Sequence, residues 1–137
     1  MKIRNIKIDD FEELYKLWQK VDLELYPIER EKQRFKSIVS LNPDLCLKLV
    51  DKNKIIGSIM GSFDGANASL NRLAIHPQYQ RKGYGTKHIK ILENKLKRKK
   101  IKKIITRIHI SNREVITFYK KLDYKNMDYV VTLYKEL

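Results

Sequence analysis

The alternation of apolar and polar residues divides this chain into short strands and amphipathic helices. Apolar and charged residues alternate imperfectly over Lys2–Ile8, which predicts a first strand. Apolar residues then recur at helical spacing over Phe11–Val21, and Tyr26-Pro27 ends that helix. A second helix is predicted over Glu29–Ser40. The N-terminal part therefore has the order strand, helix, helix.

Three strand-like runs follow in the middle of the chain. They are Leu45–Val50, Lys54–Phe63 and about Ala66–His76. The turn residues Asp51-Lys52-Asn53 and Asp64-Gly65 separate them, and such short polar turns are typical of hairpins. We therefore expect three neighbouring antiparallel strands.

The second half of the chain alternates between helical and strand patterns. Helices are predicted over Gly83–Lys99 and from Ser111 onwards, with a β-rich segment, Lys103–Ile110, between them. Tyr124–Met127 and Tyr129–Tyr134 predict a tight closing hairpin. The complete order, β-α-α-β-β-β-α-β-α-β-β, is that of a mixed α/β (α+β) fold.

Length and composition fit one domain over residues 1–137. Apolar residues make up 42% of the chain and charged residues 34%. No apolar run is long enough to span a bilayer, and Met1–Asn5 lacks a signal-peptide core, so we expect a cytoplasmic protein with no membrane partner. The single cysteine, Cys46, offers no internal disulfide and no metal cluster, so no metal site is predicted.

Positive charge is concentrated in the second half of the chain, and the net charge is +14. Residues 1–70 contain 12 Lys or Arg against 11 Asp or Glu, whereas residues 71–137 contain 18 against 5. This asymmetry favours a polyanionic partner. The densest run, Lys95–Lys103, lacks interleaved aromatic residues, which favours cations at a helix C-terminus over a nucleic-acid site.

A basic loop with two glycines lies between a predicted strand and a predicted helix. The loop comprises Gln80, Arg81, Lys82, Gly83, Tyr84, Gly85 and Thr86. Such a loop directs several backbone N–H groups toward one point at the positive end of a helix dipole, where a phosphate binds. Its glycines allow close approach of the backbone, and its two basic residues add charge. A dinucleotide-binding loop and a P-loop are excluded, because the third glycine and the Gly-Lys-Ser/Thr sequence are absent.

The segment Gln80–Gly85 matches the Gln/Arg-x-x-Gly-x-Gly/Ala motif of the GNAT superfamily of N-acetyltransferases, and the chain resembles that family further. Leu73-Ala74-Ile75-His76-Pro77 is similar to the end of the family's fourth strand, and Asn112 followed by Tyr119 resembles its second motif. The similarity covers about residues 71–125, and the element order agrees along the whole chain. The resemblance implies a central, mostly antiparallel, twisted sheet of about seven strands flanked by four helices.

The resemblance also implies acetyl-CoA as the donor of an acetyl group that passes directly to a primary amine of a small molecule, peptide or protein. The backbone of Leu73, Ala74 and Ile75 is expected to bind the pantetheine arm, and the loop Gln80–Thr86 to bind the pyrophosphate. The neighbouring strand, about 104–110, is expected to splay away and leave room for the cofactor.

The same resemblance suggests roles in catalysis. Tyr119 matches the residue that commonly protonates the departing CoA thiolate. Asn112 either contacts the cofactor or caps the helix that follows it. Asn71 occupies the position at which many members carry a glutamate, and an amide cannot accept a proton, so the general base stays open.

The acceptor amine is expected to contact the first two helices and their connection, residue Asn71 and the closing hairpin. Glu24 and Tyr26 make that connection acidic and aromatic, together with Glu29 and Glu31, which suits a cationic amine. Two other functions remain open: a catalytically silent acyl-CoA-binding regulatory domain, and a basic nucleic-acid-binding protein, the less favoured of the two. A monomer or a homodimer is compatible with the sequence.

Overall fold

A computed structural model describes residues 1–21 and 23–137 of the chain. Its contacts divide these residues into a first unit, Met1–Arg107, and a second unit, Ile108–Leu137. The two units are described separately below. The single domain expected over residues 1–137 therefore stays a prediction.

The first unit is built on a five-stranded sheet. Its strands are β1 (Lys2–Asn5), β2 (Cys46–Asp51), β3 (Lys54–Phe63), β4 (Ala68–Ile75) and β5 (Ile104–Ile105), and they lie in that order across the sheet. The strands β2, β3 and β4 pair antiparallel, as the hairpin turns predicted. The strand β1 is also antiparallel to β2, whereas β5 is parallel to β4. The prediction of a mostly antiparallel sheet in a mixed α/β fold is confirmed.

Helices cover both faces of this sheet. They are α1 (Phe11–Lys20), α2 (Ile28–Leu41) and α3 (Tyr84–Arg98). The core on the α1 and α2 side is aromatic: Phe11 lies 5.3 Å from Phe35, centroid to centroid. On the other side α3 packs so closely on β3 that a Cβ on Gly61 would lie 3.2 Å from the side chain of Leu92. The absence of a side chain at Gly61 thus permits the close approach of α3 to β3.

The strand β5 is much shorter than the predicted Lys103–Ile110. The last backbone pair joins Ser69 to Ile105, and the next link comes from a side chain, since Thr106 Oγ1 donates to the Leu70 carbonyl at 3.1 Å. The sequence after Thr106 is still β-rich, but a strand requires backbone hydrogen bonds to a neighbouring strand. The chain no longer makes these bonds to β4 beyond Ile105. The departure of β5 agrees with the splayed strand that the resemblance implied.

The second unit contains one helix, α4 (Arg113–Lys121), among residues 108–137. The hairpin predicted over Tyr124–Met127 and Tyr129–Tyr134 is absent there, so the prediction of about seven strands was wrong by two. The apolar side chains of this segment are exposed, for example 87% for Leu133. Isolated two-stranded hairpins are marginal, and the second unit offers no further strand to support one. None of the described helices is long and apolar enough to cross a membrane.

One buried imidazole in α3 makes stability depend on pH. His88 is 0% exposed, and neither ring nitrogen has a hydrogen-bond partner among the described residues. Burial lowers the pKa of His88 to about 4, although the Ser58 backbone acts in the opposite direction. Above the ordinary pKa of 6.5 the ring is neutral in both the folded and the unfolded chain. As the pH falls from there toward 4, only the unfolded chain binds a proton, so stability is lost.

We therefore expect His88→Leu to weaken this pH dependence. Near pH 5 the wild type should have lost about 2 kcal/mol through His88 relative to neutral pH, and the variant should lack this loss. Urea unfolding at neutral pH and near pH 5 measures the difference. Leu92→Ile changes a buried side chain of the same helix without altering a titratable group and should keep the wild-type slope. Equal slopes in wild type and His88→Leu would contradict the assignment.

Candidate active site

A bulge interrupts β4 opposite the middle of β3. Ser58 pairs with Ala74 and Met60 pairs with Asn71, so two residue steps along β3 correspond to three along β4. The extra residue lies at Arg72, whose φ of 53° is in the left-handed region. Its carbonyl is held in place by a hydrogen bond of 2.7 Å from Ser58 Oγ.

A buried tryptophan completes the support of the bulge. Trp18 Nε1 donates to Ser58 Oγ at 3.0 Å, and the serine hydroxyl in turn donates to the Arg72 carbonyl. The Arg72 guanidinium lies 5.8 Å from the centre of the Trp18 ring. Because Trp18 and Ser58 are 1% and 0% exposed, this network fixes the conformation of β4 at the bulge.

The bulge turns two consecutive side chains toward α2. In a regular strand they would point to opposite faces. Here Asn71 Oδ1 accepts a hydrogen bond of 2.9 Å from Arg34 Nη2, and Arg72 donates from Nε and Nη2 to Glu31 Oε1 at 3.0 and 2.5 Å. Glu31 is 1% exposed. Glu31, Arg34, Asn71 and Arg72 are called the bulge cluster below.

The bulge cluster contains two guanidinium groups and one carboxylate. The Glu31 carboxylate forms an ion pair with Arg72, whereas Arg34 forms no ion pair with any described residue. Burial, and then the charge of Arg72, lower the pKa of Arg34, whereas Glu31 and Tyr26 act in the opposite direction. The cluster thus holds one positive charge in excess.

One edge of β4 is open beside the bulge. The Ala74 carbonyl faces β3, since a Cβ on Gly57 would lie 3.2 Å from it, and the His76 N–H also donates to β3. By the alternation of a strand, the backbone groups of Leu73 and Ile75 face the opposite edge, which β5 has left. Two of the three positions predicted to bind pantetheine therefore turn their backbone toward this edge, where Gln80 Nε2 donates to the Ile75 carbonyl at 2.8 Å.

The turn that follows β4 is fixed by side chains. The Tyr79 hydroxyl donates to Asp51 Oδ2 at 2.7 Å, and Gln80 Nε2 donates to the Ile75 carbonyl at 2.8 Å. The Gln80 N–H lies 3.4 Å from the Pro77 carbonyl, within the turn. Gln80 thus closes the strand end with its side chain, whereas the sequence predicted a backbone contact to phosphate.

The loop enters α3 through left-handed residues, Arg81 with φ 62° and Gly83 with φ 85°. The first hydrogen bond of α3 runs from the Lys87 N–H to the Gly83 carbonyl at 3.0 Å, and the N–H groups before it have no partner inside the helix. No described side chain caps this end. The N–H groups that remain for a ligand belong to Gly83, Tyr84, Gly85 and Thr86.

The electrostatics of this helix end favour an anion. The first turn of α3 has no acidic residue, and Arg81 and Lys82 are exposed beside it. A Cβ on Gly83 would meet no heavy atom within 4 Å, so the space beside this glycine is open. Free N–H groups, a positive helix end and flanking cations together make this helix end suited to an anion.

Two predicted site residues lie in the second unit. Tyr119 is 4% exposed on α4, with Phe118 and Tyr124 at 5.4 and 5.2 Å between ring centroids. Asn112 is the N-cap of α4, and its Oδ1 accepts from the Val115 N–H at 3.4 Å. The cap is thus present, and contacts of either residue with a cofactor stay predictions.

The residues predicted for the acceptor amine have different surroundings. Glu24 is exposed, and Tyr26 is 40% exposed with the Arg30 guanidinium 4.4 Å from its ring centre. Glu31, expected to add negative charge to this region, is instead buried against Arg72. No group of three or more potential metal-ligating side chains occurs in the described part of the chain.

Sequence reasoning missed the cationic members of the bulge cluster. Glu31 and Arg34 are three residues apart, a spacing that places them on one side of a helix, and this was the only signal for part of the cluster. Nothing local marks Arg72, because its orientation depends on a bulge formed with β3.

Comparisons with known proteins agree with this geometry. The model of the acetyltransferase (GNAT) family matches residues 11–124. The chain is 36% identical over 137 residues to an acetyltransferase of Sodalis glossinidius (strain morsitans), covering 100% of this chain and 96% of the relative. An acetyltransferase of Pectobacterium atrosepticum is 35% identical over 137 residues, with the same shares covered.

Solved structures share the fold. An aminoglycoside 6′-N-acetyltransferase from Acinetobacter haemolyticus superimposes with a TM-score of 0.79 at 14% identity, over 100% of this chain and 99% of that one. The PaiA N-acetyltransferase from Thermoplasma acidophilum, solved with coenzyme A, gives a TM-score of 0.76 at 22% identity, over 88% and 87%. Since the family match spans most of the sequence and the relatives align along its full length, the chain belongs to the GNAT acetyltransferase family.

Proposed function

We propose that this protein is an acetyl-CoA-dependent N-acetyltransferase that moves the acetyl group directly to a primary amine of a small molecule, peptide or protein. The observation that carries the proposal is the start of α3. It combines a left-handed glycine, uncapped N–H groups and no acidic residue in the first turn. This is the arrangement that a pyrophosphate requires.

The open edge of β4 supplies the second half of a coenzyme A site. The N–H and carbonyl of Leu73 and the N–H of Ile75 are suited to bind the amide groups of pantetheine, as an added strand would, whereas the Ile75 carbonyl accepts from Gln80. Coenzyme A carries both groups, a pyrophosphate and an amide-containing arm, and its acetyl thioester supplies the acetyl group. A solved protein with the same fold contains coenzyme A, which supports the same ligand here.

The acceptor must reach the thioester as a neutral amine, and the departing sulfur needs a proton. We assign the proton donor to the phenol of Tyr119 by family resemblance. Asn71 cannot act as the base, and its amide oxygen already accepts a hydrogen bond from Arg34.

The direct test is release of the CoA thiol from acetyl-CoA with a panel of amines, namely polyamines, amino acids, aminoglycosides and short peptides. A thiol reagent reports this cleanly, because the single cysteine is buried and its burial raises the pKa of Cys46 to about 12. Release that depends on both acetyl-CoA and one amine class is expected. Absence of release and of CoA binding would overturn the proposal.

The assignment of Tyr119 predicts a selective loss of turnover. Tyr119→Phe keeps the ring among its aromatic neighbours but removes the hydroxyl, so we expect kcat to fall about 100-fold, with CoA binding unchanged. Tyr124→Phe removes a hydroxyl from an adjoining ring and is the matched control, expected to keep its kcat. Unchanged turnover in Tyr119→Phe would remove the assignment.

Asn71 also favours a second candidate, a catalytically silent acyl-CoA-binding domain. That function predicts tight CoA binding with no thiol release for any amine. The same panel, combined with a CoA-binding measurement, separates it from the enzyme.

A further inference from the structure

We propose that the acceptor carries a carboxylate in addition to its amine, and that Arg34 binds this carboxylate. The inference rests on the proposed function and names the substrate class of the same site. It follows from the hydrogen bonds, the charge and the position of the bulge cluster.

Arg34 has most of its hydrogen-bonding capacity unused. A guanidinium has five N–H donors in a planar fork, and among the described residues Arg34 gives one of them, to Asn71 Oδ1 at 2.9 Å. That bond fixes the side chain while leaving donors for a bidentate partner. Arg34 is half-buried, so a ligand can reach it and the surroundings strengthen the interaction.

The charge of the bulge cluster specifies an anion of one negative charge. Arg72 donates two hydrogen bonds to the Glu31 carboxylate, so Arg34 has no carboxylate partner among the described residues. Burial lowers the pKa of Arg34, and the nearby positive charge of Arg72 lowers it further. One carboxylate neutralises the excess, whereas a phosphate dianion would leave a negative charge in a half-buried place.

The position of Arg34 places the carboxylate beside the transferred group. Arg34 is hydrogen-bonded to Asn71, which directly precedes the bulge, and Leu73 on the far side of the bulge is a proposed pantetheine contact. The acceptor amine must come close to the end of the pantetheine arm. An amine and a carboxylate on one short molecule, as in an amino acid, would meet both requirements.

The test compares matched acceptors in wild type and Arg34→Gln. β-Alanine and glycine represent amino carboxylates, their amides lack the charge, and O-phosphoethanolamine represents a phosphate. We expect at least one amino carboxylate to be preferred over its amide. Arg34→Gln should lower kcat/KM for that acceptor about tenfold or more and change kcat/KM for the amide less than about twofold.

Lys36→Gln is the matched control, because it removes an exposed cation from the same helix and should leave both values unchanged. A preference for amides, or for O-phosphoethanolamine, would overturn the inference. So would equal losses for both members of each pair in Arg34→Gln.

A readout without turnover separates this inference from the proposed function. In wild type, NMR of arginine Nε–H groups should show one signal shifted by propionate, a monocarboxylate, and Arg34→Gln should lack that signal. A propionate shift without any thiol release would contradict the proposed transfer while supporting the carboxylate site. Thiol release without the shift would contradict the carboxylate site alone.

Discussion

Replacing Gly83 with valine is expected to weaken CoA binding about 100-fold while the protein stays folded. Gly83 has φ 85°, a conformation that a β-branched residue adopts only with strain, so the loop will move away from its left-handed geometry. The N–H groups at the start of α3 then no longer converge on one point. Isothermal titration with CoA measures the loss.

Gly65→Val is the matched control for this prediction. Gly65 also has a positive φ, 99°, and a Cβ would meet nothing within 4 Å at either glycine. Both variants thus incur similar local strain, but Gly65 lies in the turn between β3 and β4. Equal CoA affinities for the two variants would show that the loop at Gly83 does not bind the cofactor.

Replacing Glu31 with glutamine is expected to lower the free energy of unfolding by about 3 kcal/mol. The side chains of Glu31 and Arg72 are 1% and 14% exposed, so the variant leaves two half-buried guanidinium groups without a carboxylate. The bulge should lose rigidity together with stability, because the same Arg72 forms it. We expect the free energy of unfolding, measured in urea, and the rate of acetyl transfer to fall together.

Glu12→Gln breaks a comparable pair on the surface. Lys32 Nζ lies 3.6 Å from Glu12 Oε1, and the two side chains are 39% and 69% exposed, respectively. Exposed pairs contribute about 0.5 kcal/mol or less, so this variant should unfold nearly as the wild type does. If Glu31→Gln were as stable as Glu12→Gln, the ion pair would not hold the bulge.

The features that local sequence determines were predictable. The loop before α3 could be found because glycines, cations and a following helix lie together in sequence, and the left-handed Gly83 has the conformation such a loop requires. The hairpins of β2, β3 and β4 were predictable for the same reason, since their turns are short and polar.

Features that depend on distant partners were not predictable. The bulge at Arg72 requires the β3 register and a hydroxyl from Ser58, forty residues from the tryptophan that supports it. The alternating pattern after Tyr124 does not show whether a partner strand is present, and the second unit contains no strand. Buried charge pairs such as Glu31 and Arg72 join elements that no single window of sequence contains.

Mass spectrometry of amines incubated with the protein and isotopically labelled acetyl-CoA tests most directly whether the loop at the start of α3 binds acetyl-CoA for transfer to an amine. We expect a labelled N-acetyl product that is formed by wild type and Gly65→Val and is strongly reduced with Gly83→Val. No labelled product from any amine with the wild type, or equal product from both glycine variants, would contradict this expectation.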